Sequence, residues 1–187
     1  MAVSGSSSVS RHAVDPVQRF VYFAYGSNMS ISQLRERVDS SDQKAIVLGR
    51  AILEDYQLVF NKKSVFHQLN GQRVALLNGK ANIEKSVDSS VSGVLFSLTK
   101  DQVAIMDQCE GARLNPPHYQ RKIVSVEMVD GQNEGISTTA ITYVANVLFT
   151  TQGYIKPTDE YLNTIFVGAR ENGIDINPIE RAASNLN

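Results

Sequence analysis

Glu110 is the residue whose predicted position most favours proton-transfer chemistry. Val103, Met106 and Glu110 are spaced i, i+3, i+7, so the helix expected here would carry all three on its apolar face. The carboxyl group would be buried at the C-terminal end of the helix, where burial and the helix dipole both disfavour its charged form. We therefore predict a raised pKa, which suits a general acid or base near neutral pH. If the helix ended one or two residues earlier, Glu110 would be an ordinary surface glutamate.

The stretch FVYFAYGSNMS, Phe20–Ser30, is the second candidate, because six apolar or aromatic residues end abruptly at Gly26, Ser27 and Asn28. If a helix follows this turn, free backbone N–H groups lie at the positive end of its dipole, which favours anion binding. Gly26 would allow a ligand to approach the backbone closely. The alternative is a tight turn in which Ser27 or Asn28 only caps the helix. The turn is too short for a nucleotide-binding P-loop and lacks its lysine.

The composition argues against several other classes of function. The chain has 187 residues, 42% of them hydrophobic, and a formal net charge of -1. It has no block of Lys and Arg that would indicate nucleic-acid binding, and no apolar run approaches the ~20 residues of a membrane span. The single cysteine, Cys109, and three scattered histidines provide no metal-ligand spacing. We expect a metal-free, cytoplasmic protein whose turn and carboxyl group suit acyl transfer on a small amide that bears a carboxylate.

The elements that must position these groups alternate between strands and helices. Runs of β-branched and aromatic residues predict strands, the strings NKK and NGQ predict turns, and NIEKSVDSS predicts a loop. The predicted strands are Phe20–Tyr25, Ala45–Gly49, Leu53–Asn61, Arg73–Asn78, Val91–Ser97, Tyr119–Val129 and Ser137–Ala145. Because hairpin pairs and helical connections are both present, we predict an α+β fold with a mixed, curled sheet.

Capping signals mark the first two helices. Ser30 and Gln33 have the spacing of a capping box at the start of one helix. Thr99 and Gln102 repeat that spacing before a second helix, which Gly111 is placed to end. These signals set the helix boundaries on which the position of the candidate carboxyl group depends.

Two more helices are predicted in the last third of the chain. One begins near Pro157, ends at Gly173 and carries an apolar stripe, on which Tyr161 would be a core residue. A short final helix begins at Asn177-Pro178. Residues 1–19 are polar and rich in serine, so we expect a disordered leader before a single domain at residues 20–187.

Three segments of the sequence resemble the γ-glutamylcyclotransferase family. They are YFAYGSNM, MDQCEG with Tyr119 shortly after it, and YLNTIFVGARENGI. The resemblance extends from about Phe20 to the final helix, and the GARENG helix is similar to the γ-glutamylcyclotransferase branch proper. It implies an α+β fold around a small β-barrel, and conversion of γ-glutamyl amino acids to 5-oxoproline and the free amino acid without a cofactor.

The same resemblance assigns roles to individual residues. It implies that Glu110 is the general acid/base, and that the loop after the first strand binds the γ-glutamyl part of the substrate. The substrate-binding residues that it implies are Tyr22, Phe23, Ala24, Tyr25, Gly26, Ser27, Asn28, Tyr119 and Tyr161. Alternation along the strand places Tyr22 and Tyr25 on opposite faces, so one of them is expected in the core.

Other functions remain open at this point. The same chemistry could act on a γ-glutamyl amine or on a biosynthetic γ-glutamyl intermediate. The segments expected to determine which substrate binds are Lys62–Gln72 and Ala112–His118. The chain could also be a non-catalytic small-molecule-binding relative, although both the loop and Glu110 are present. The expected partner is a small γ-glutamyl substrate rather than a nucleic acid or a membrane, and a homodimer is left open.

Overall fold

The structure, a computed structural model, describes residues 17–67, 73–130 and 133–185. Most of the predicted leader and the predicted NGQ turn at residues 70–72 lie outside the described residues. Within the described residues, Arg19 already belongs to the first strand, where its guanidinium group donates to the Ser97 carbonyl oxygen at 2.7 Å. The leader therefore remains a prediction.

Within the described residues, five strands and four α-helices make up the fold. The strands are β1 (Arg19–Ala24), β2 (Ile46–His67), β3 (Arg73–Thr99), β4 (Tyr119–Met128) and β5 (Ser137–Ala145). The helices are α1 (Ile31–Val38), α2 (Lys100–Cys109), α3 (Asp159–Glu171) and α4 (Asn177–Ala183). Short 3₁₀ turns occupy Ser27–Met29 and Val147–Phe149.

The strands form a closed barrel in the order β1-β3-β2-β4-β5. β1 pairs with β5 in parallel at Tyr22 and Ile141, and the remaining neighbours are antiparallel. Closure removes the exposed edges that an open sheet would leave. The predicted α+β class and the mixed, barrel-shaped sheet are confirmed.

β2 and β3 form one long antiparallel hairpin, so several predicted boundaries were wrong. NKK lies inside β2 and is not a turn, and NIEKSVDSS lies inside β3 and is not a loop. The ladder continues through bulges, including one where Asp55 adopts a positive φ of 60° opposite the four residues Ser86–Ser89. A bulge absorbs polar residues and a local bend without ending the strand pairing, which is why the local sequence looks like a loop.

The capping prediction for α2 is confirmed, whereas that for α1 is only half right. Thr99 and Gln102 form both bonds of a capping box before α2, and Gly111 follows the helix with a φ of +63°. Ser30 accepts the Gln33 backbone N–H, but the Gln33 side chain donates to Asn28 Oδ1 at 3.3 Å. A competing acceptor in the neighbouring turn therefore draws Gln33 away from the cap.

Helix α3 holds the Ser27–Met29 turn in place. Gly168 on α3 lies so close to this turn that a Cβ atom there would be 2.3 Å from the Ser30 nitrogen. Asn172, which caps the end of α3, donates from Nδ2 to the Met29 carbonyl oxygen at 3.1 Å. The last long helix thus determines where the turn after β1 can lie.

Candidate active site

The residues at the end of β1 line a buried cavity. Tyr22 and Tyr25 are both buried in the core and both line this cavity, so the expectation that they lie on opposite faces was wrong. The reason is that β1 ends at Ala24, and the alternation of a strand no longer applies to Tyr25. Gly26, Ser27 and Asn28 follow and also line the cavity.

Two adjoining spaces make up the site. The inner cavity measures about 50 Å³, and the outer cavity, which adjoins it, measures about 180 Å³. Ser27, Glu110, Tyr119 and Tyr161 line both spaces. The residues found only around the inner cavity are Tyr22, Tyr25, Gly26, Asn28, Ala81 and Tyr143. Those found only around the outer cavity include Arg37, Lys62, Lys80 and His118.

Glu110 lies where its helical spacing predicted, at the C-terminal cap of α2. Its side chain is only 16% exposed. Burial raises the pKa of the Glu110 carboxyl above its usual range, while the Arg37 guanidinium and the Asn28 amide act in the opposite direction. The carboxyl is mostly buried and its pKa is shifted in the predicted direction, while its partners keep the charged form accessible.

Asn28 organises the polar groups around Glu110. Its Nδ2 donates to Glu110 Oε1 at 3.0 Å and to the Tyr22 hydroxyl at 2.9 Å. Its Oδ1 accepts from Arg37 Nη1 at 2.8 Å. Arg37 Nη1 also lies 3.5 Å from Glu110 Oε1 and forms an ion pair with it. Because a guanidinium only donates hydrogen bonds, the Asn28 atom that contacts Arg37 must be the amide oxygen. The amide nitrogen of Asn28 is therefore the end that faces the Glu110 carboxylate.

Tyr119 and Tyr161 converge on the same backbone unit from two elements. The Tyr161 hydroxyl accepts the Ala81 N–H at 3.2 Å, and the Tyr119 hydroxyl donates to the Ala81 carbonyl at 2.8 Å. Burial raises the pKa of Tyr161 to about 12 and that of Tyr119 well above its usual value. Both hydroxyls are therefore neutral near pH 7 and act as hydrogen-bonding groups.

Not every residue of the predicted loop reaches the cavity. Phe23 and Ala24 are fully buried but do not line either space. The Phe23 ring packs against Gly93, where an added Cβ would approach it to 2.5 Å, and the Ala24 carbonyl lies against the same glycine. Their position supports a packing role for these two residues rather than substrate contact.

Several lining residues escaped prediction from the sequence. Arg37 lies on α1, Ala81 and Lys80 on β3, and Tyr143 on β5. Lys62 on β2 belongs to the segment Lys62–Gln72 that was expected to select the substrate, but its own role was not predicted. None of them belongs to a recognisable motif, and the strings around Lys62 and Lys80 resemble turns. Only the pairing of distant strands brings them to the cavity.

The described residues contain no group of three or more His, Cys, Asp or Glu side chains that could hold a metal ion. Among the same residues, no helix is long and apolar enough to cross a membrane. Glu110 is the acidic group that lines both spaces. With this carboxyl group beside Arg37, Lys62 and Lys80, the lining can transfer a proton and bind a polar, anionic small molecule.

Comparisons with known proteins show which family the chain resembles. Residues 22–163 match the family described as gamma-glutamyl cyclotransferase, AIG2-like. The chain is 30% identical to the gamma-glutamylcyclotransferase of Mus musculus over 169 residues, which is 90% of this chain and 80% of that protein. It is 28% identical to the Homo sapiens protein of the same name over 160 residues, 85% of this chain and 74% of that one.

A solved structure shows the same fold. It is titled gamma-glutamyl cyclotransferase, superposes with a TM-score of 0.68 at 26% sequence identity, and the match covers 88% of this chain and 86% of that chain. The family match spans most of the sequence and includes Glu110 and the turn after β1. This chain therefore belongs to the gamma-glutamyl cyclotransferase, AIG2-like family.

Proposed function

We propose that this protein converts γ-glutamyl amino acids to 5-oxoproline and a free amino acid, with Glu110 as the general acid/base. The observation that carries the proposal is the position of Glu110. Its carboxyl group is buried between the inner and outer cavities, has a raised pKa, and accepts a hydrogen bond from Asn28. A group with these properties can both take up and release a proton near neutral pH.

In this reaction the substrate's α-amine attacks its own γ-carbonyl carbon. A C–N bond forms to close the five-membered lactam, and the amide C–N bond to the departing amino acid breaks. The α-ammonium group gives up two protons as it becomes the lactam N–H, and the departing nitrogen gains two as it becomes an ammonium group. The protons therefore balance, and a single shuttle such as Glu110 can carry them from one nitrogen to the other.

The turn after β1 supplies hydrogen-bond donors for the γ-glutamyl half. Ser27 and Asn28 begin the 3₁₀ turn, so their backbone N–H groups precede its first internal hydrogen bond, from Met29 to the Gly26 carbonyl at 2.9 Å. Such donors can bind the substrate α-carboxylate or stabilise the developing oxyanion. Gly26 keeps the backbone open on the side of Ala81 and Tyr161, where an added Cβ would come within 3.3 Å and 3.7 Å of them.

The barrel would favour the reaction by holding the substrate in the bent conformation that ring closure requires. Ring closure within one molecule is fast only when the amine and the carbonyl are held in contact, and holding them there can supply several kcal/mol, of a possible ~7–11. The tyrosines of the inner cavity restrict the conformations that the substrate can adopt: Tyr22, Tyr25 and Tyr143 are buried, and the partly buried Tyr119 and Tyr161 are held by hydrogen bonds to Ala81. The reaction is redox-neutral, and no cofactor is included in the proposal.

The test is release of 5-oxoproline by the purified protein from γ-glutamyl dipeptides, glutathione and γ-glutamyl amines. We expect release from dipeptides, and its loss in Glu110→Gln. Glu127→Gln, which changes an exposed glutamate on β4, is the matched control and should be fully active. If no substrate in the panel yields 5-oxoproline while circular dichroism shows a folded protein, the proposed reaction is wrong.

A further inference from the structure

Lys62 and Lys80 form an unusual pair in the barrel. They are direct partners in the antiparallel pairing of β2 and β3, and both line the outer cavity. Like charges directly opposite each other in a sheet are destabilising. The fold therefore keeps two cations together at a position where stability alone would favour other residues.

Neither lysine has a carboxylate partner among the described residues. Lys62 is 4% exposed, yet among the described residues its Nζ contacts only the Lys63 carbonyl at 3.0 Å and the Tyr119 ring, whose centre is 4.9 Å away. Lys80 Nζ lies 3.8 Å from the centre of the Tyr161 ring. No carboxylate oxygen of the described residues lies within 4.0 Å of either ammonium group. Buried cations are normally paired.

The surrounding charges favour an anion in the outer cavity. Glu110 and Glu160 act on Lys62 and Lys80 only from a longer distance. Burial lowers the pKa of Lys62 to about 8, as expected for an ammonium group that lacks a counter-ion. Arg37, the third cation of the outer cavity, is already paired with Glu110. The two lysines are therefore the cations that a bound carboxylate could neutralise.

The position of the lysines relative to Glu110 identifies which half of the substrate they face. Glu110 lines both cavities, and it must lie at the amide bond that breaks. Of the two turn donors, Asn28 lines only the inner cavity and Ser27 lines both, whereas both lysines line only the outer one. With the γ-glutamyl half in the inner cavity, the departing half extends towards the lysines.

We propose that Lys62 and Lys80 form a carboxylate-binding subsite for the departing amino acid, and thereby select γ-glutamyl amino acids over γ-glutamyl amines that lack this carboxylate. The inference rests on the proposed function, which it deepens by naming the residues that determine the leaving group. The Tyr119 and Tyr161 rings beneath the ammonium groups help to hold them at the outer cavity.

The test compares two substrates that differ only in the carboxylate, γ-glutamyl-alanine and γ-glutamyl-ethylamide. We expect kcat/KM to be higher for the dipeptide, and Lys80→Met to lower it about 10- to 100-fold for the dipeptide alone, the range for a lost charged hydrogen bond. Because Lys62 also lowers the pKa of Glu110, Lys62→Met should lower kcat/KM for both substrates, and about tenfold more for the dipeptide. Lys85→Met is the matched control, because Lys85 also lies over a tyrosine ring, that of Tyr56, but outside both cavities. An equal fall for both substrates, or no change for either, overturns the proposal.

Binding to the Glu110→Gln variant separates this inference from the proposed reaction, since it requires no turnover. By calorimetry we expect the dipeptide to bind at least about tenfold more tightly than the ethylamide, and Lys62→Met to abolish the difference. Selective binding without any turnover by the wild-type protein would support the subsite and contradict the proposed reaction. Turnover without discrimination, or no detectable binding of the dipeptide, would overturn the subsite.

Discussion

Asn28 Nδ2 donates a hydrogen bond to Glu110 Oε1 at 3.0 Å, and this bond joins the turn after β1 to the end of α2. The two residues are 82 positions apart in the chain. The other N–H of the same amide donates to the Tyr22 hydroxyl, and its oxygen accepts from Arg37. Asn28 therefore fixes the carboxylate relative to the inner cavity, which is the condition for proton transfer along a defined path.

Replacement of this carboxylate should abolish catalysis without unfolding the protein. Glu110→Gln keeps the shape of the side chain and an oxygen that can accept from Asn28, but it cannot carry a proton between the two nitrogens. We expect kcat to fall by about 10²–10⁴-fold, the usual contribution of a general acid/base. The measurement is the rate of 5-oxoproline release at saturating substrate. Turnover within a factor of two of wild type would show that another group transfers the proton.

Arg37 should control the pH dependence of the reaction. Its guanidinium lowers the pKa of Glu110, against the larger effect of burial. Removal of this cation in Arg37→Met disfavours the carboxylate, so the acidic limb of kcat/KM should move to higher pH. Lys62 also lowers this pKa, whereas the buried tyrosines around the carboxyl are neutral.

The control for this prediction is Arg35→Met, which removes an exposed arginine from the same helix. Its pH profile should match that of the wild-type protein. An acidic limb that stays in place, or moves to lower pH, in Arg37→Met would mean that Arg37 does not act on the catalytic carboxyl.

Gly168 should be essential for the position of the turn after β1. In Gly168→Ala the new Cβ would lie 2.3 Å from the Ser30 nitrogen and 2.5 Å from the Met29 carbonyl carbon, and backbone atoms cannot rotate away. We expect a loss of about 1–3 kcal/mol in the free energy of unfolding. Because the turn itself must shift, we also expect kcat/KM to fall by about tenfold.

Denaturant unfolding and steady-state kinetics measure these two effects. Gly153→Ala is the control, since nothing lies within 4 Å of a Cβ added at that position. A Gly168→Ala protein with wild-type stability and activity would show that α3 does not hold the turn.

We expect the buried Lys62 ammonium group to lower the free energy of unfolding of the wild-type protein. Lys62→Met removes a buried cation and its repulsion with Lys80, so the variant should be more stable than the wild-type protein at pH 7. The pKa of Lys62 is lowered from 10.5 to about 8 in the folded protein. Between these values the unfolded chain binds more protons, so wild-type stability should rise with pH.

The stability gain of Lys62→Met should therefore be greatest below pH about 8 and should shrink as the pH approaches 10.5. Thermal unfolding of both proteins across this range measures the difference, in which titrations common to both proteins cancel. A variant that is less stable than wild type at every pH would show that the ammonium group stabilises the barrel.

Local sequence signals were sufficient for the parts of the site that depend on one element. The i, i+3, i+7 spacing on α2 predicted the burial of Glu110, and a capping box with a following glycine marked the ends of that helix. The turn after β1 was recognisable because an apolar strand stops at three small residues. Helical periodicity and capping are short-range effects, so a single stretch of sequence contains them in full.

The ends of the strands were harder to predict from the sequence. NIEKSVDSS has the composition of a loop, yet it continues β3 because its partners on β2 hold it in the ladder through a bulge. The pairing energy comes from residues that are distant in the chain, for example Glu54 opposite Ser90 and Tyr56 opposite Lys85. Tertiary pairing overrides local propensity in strands more readily than in helices.

The sequence by itself predicted the family, Glu110 as the candidate general acid/base and the turn after β1, because each of them depends on short contiguous segments. Only the tertiary structure decided that Tyr22 and Tyr25 share one cavity, that Ala81 links Tyr119 to Tyr161, and that Lys62 faces Lys80. Each of these relationships depends on barrel closure and strand register, which arise from long-range pairing that a local pattern does not encode.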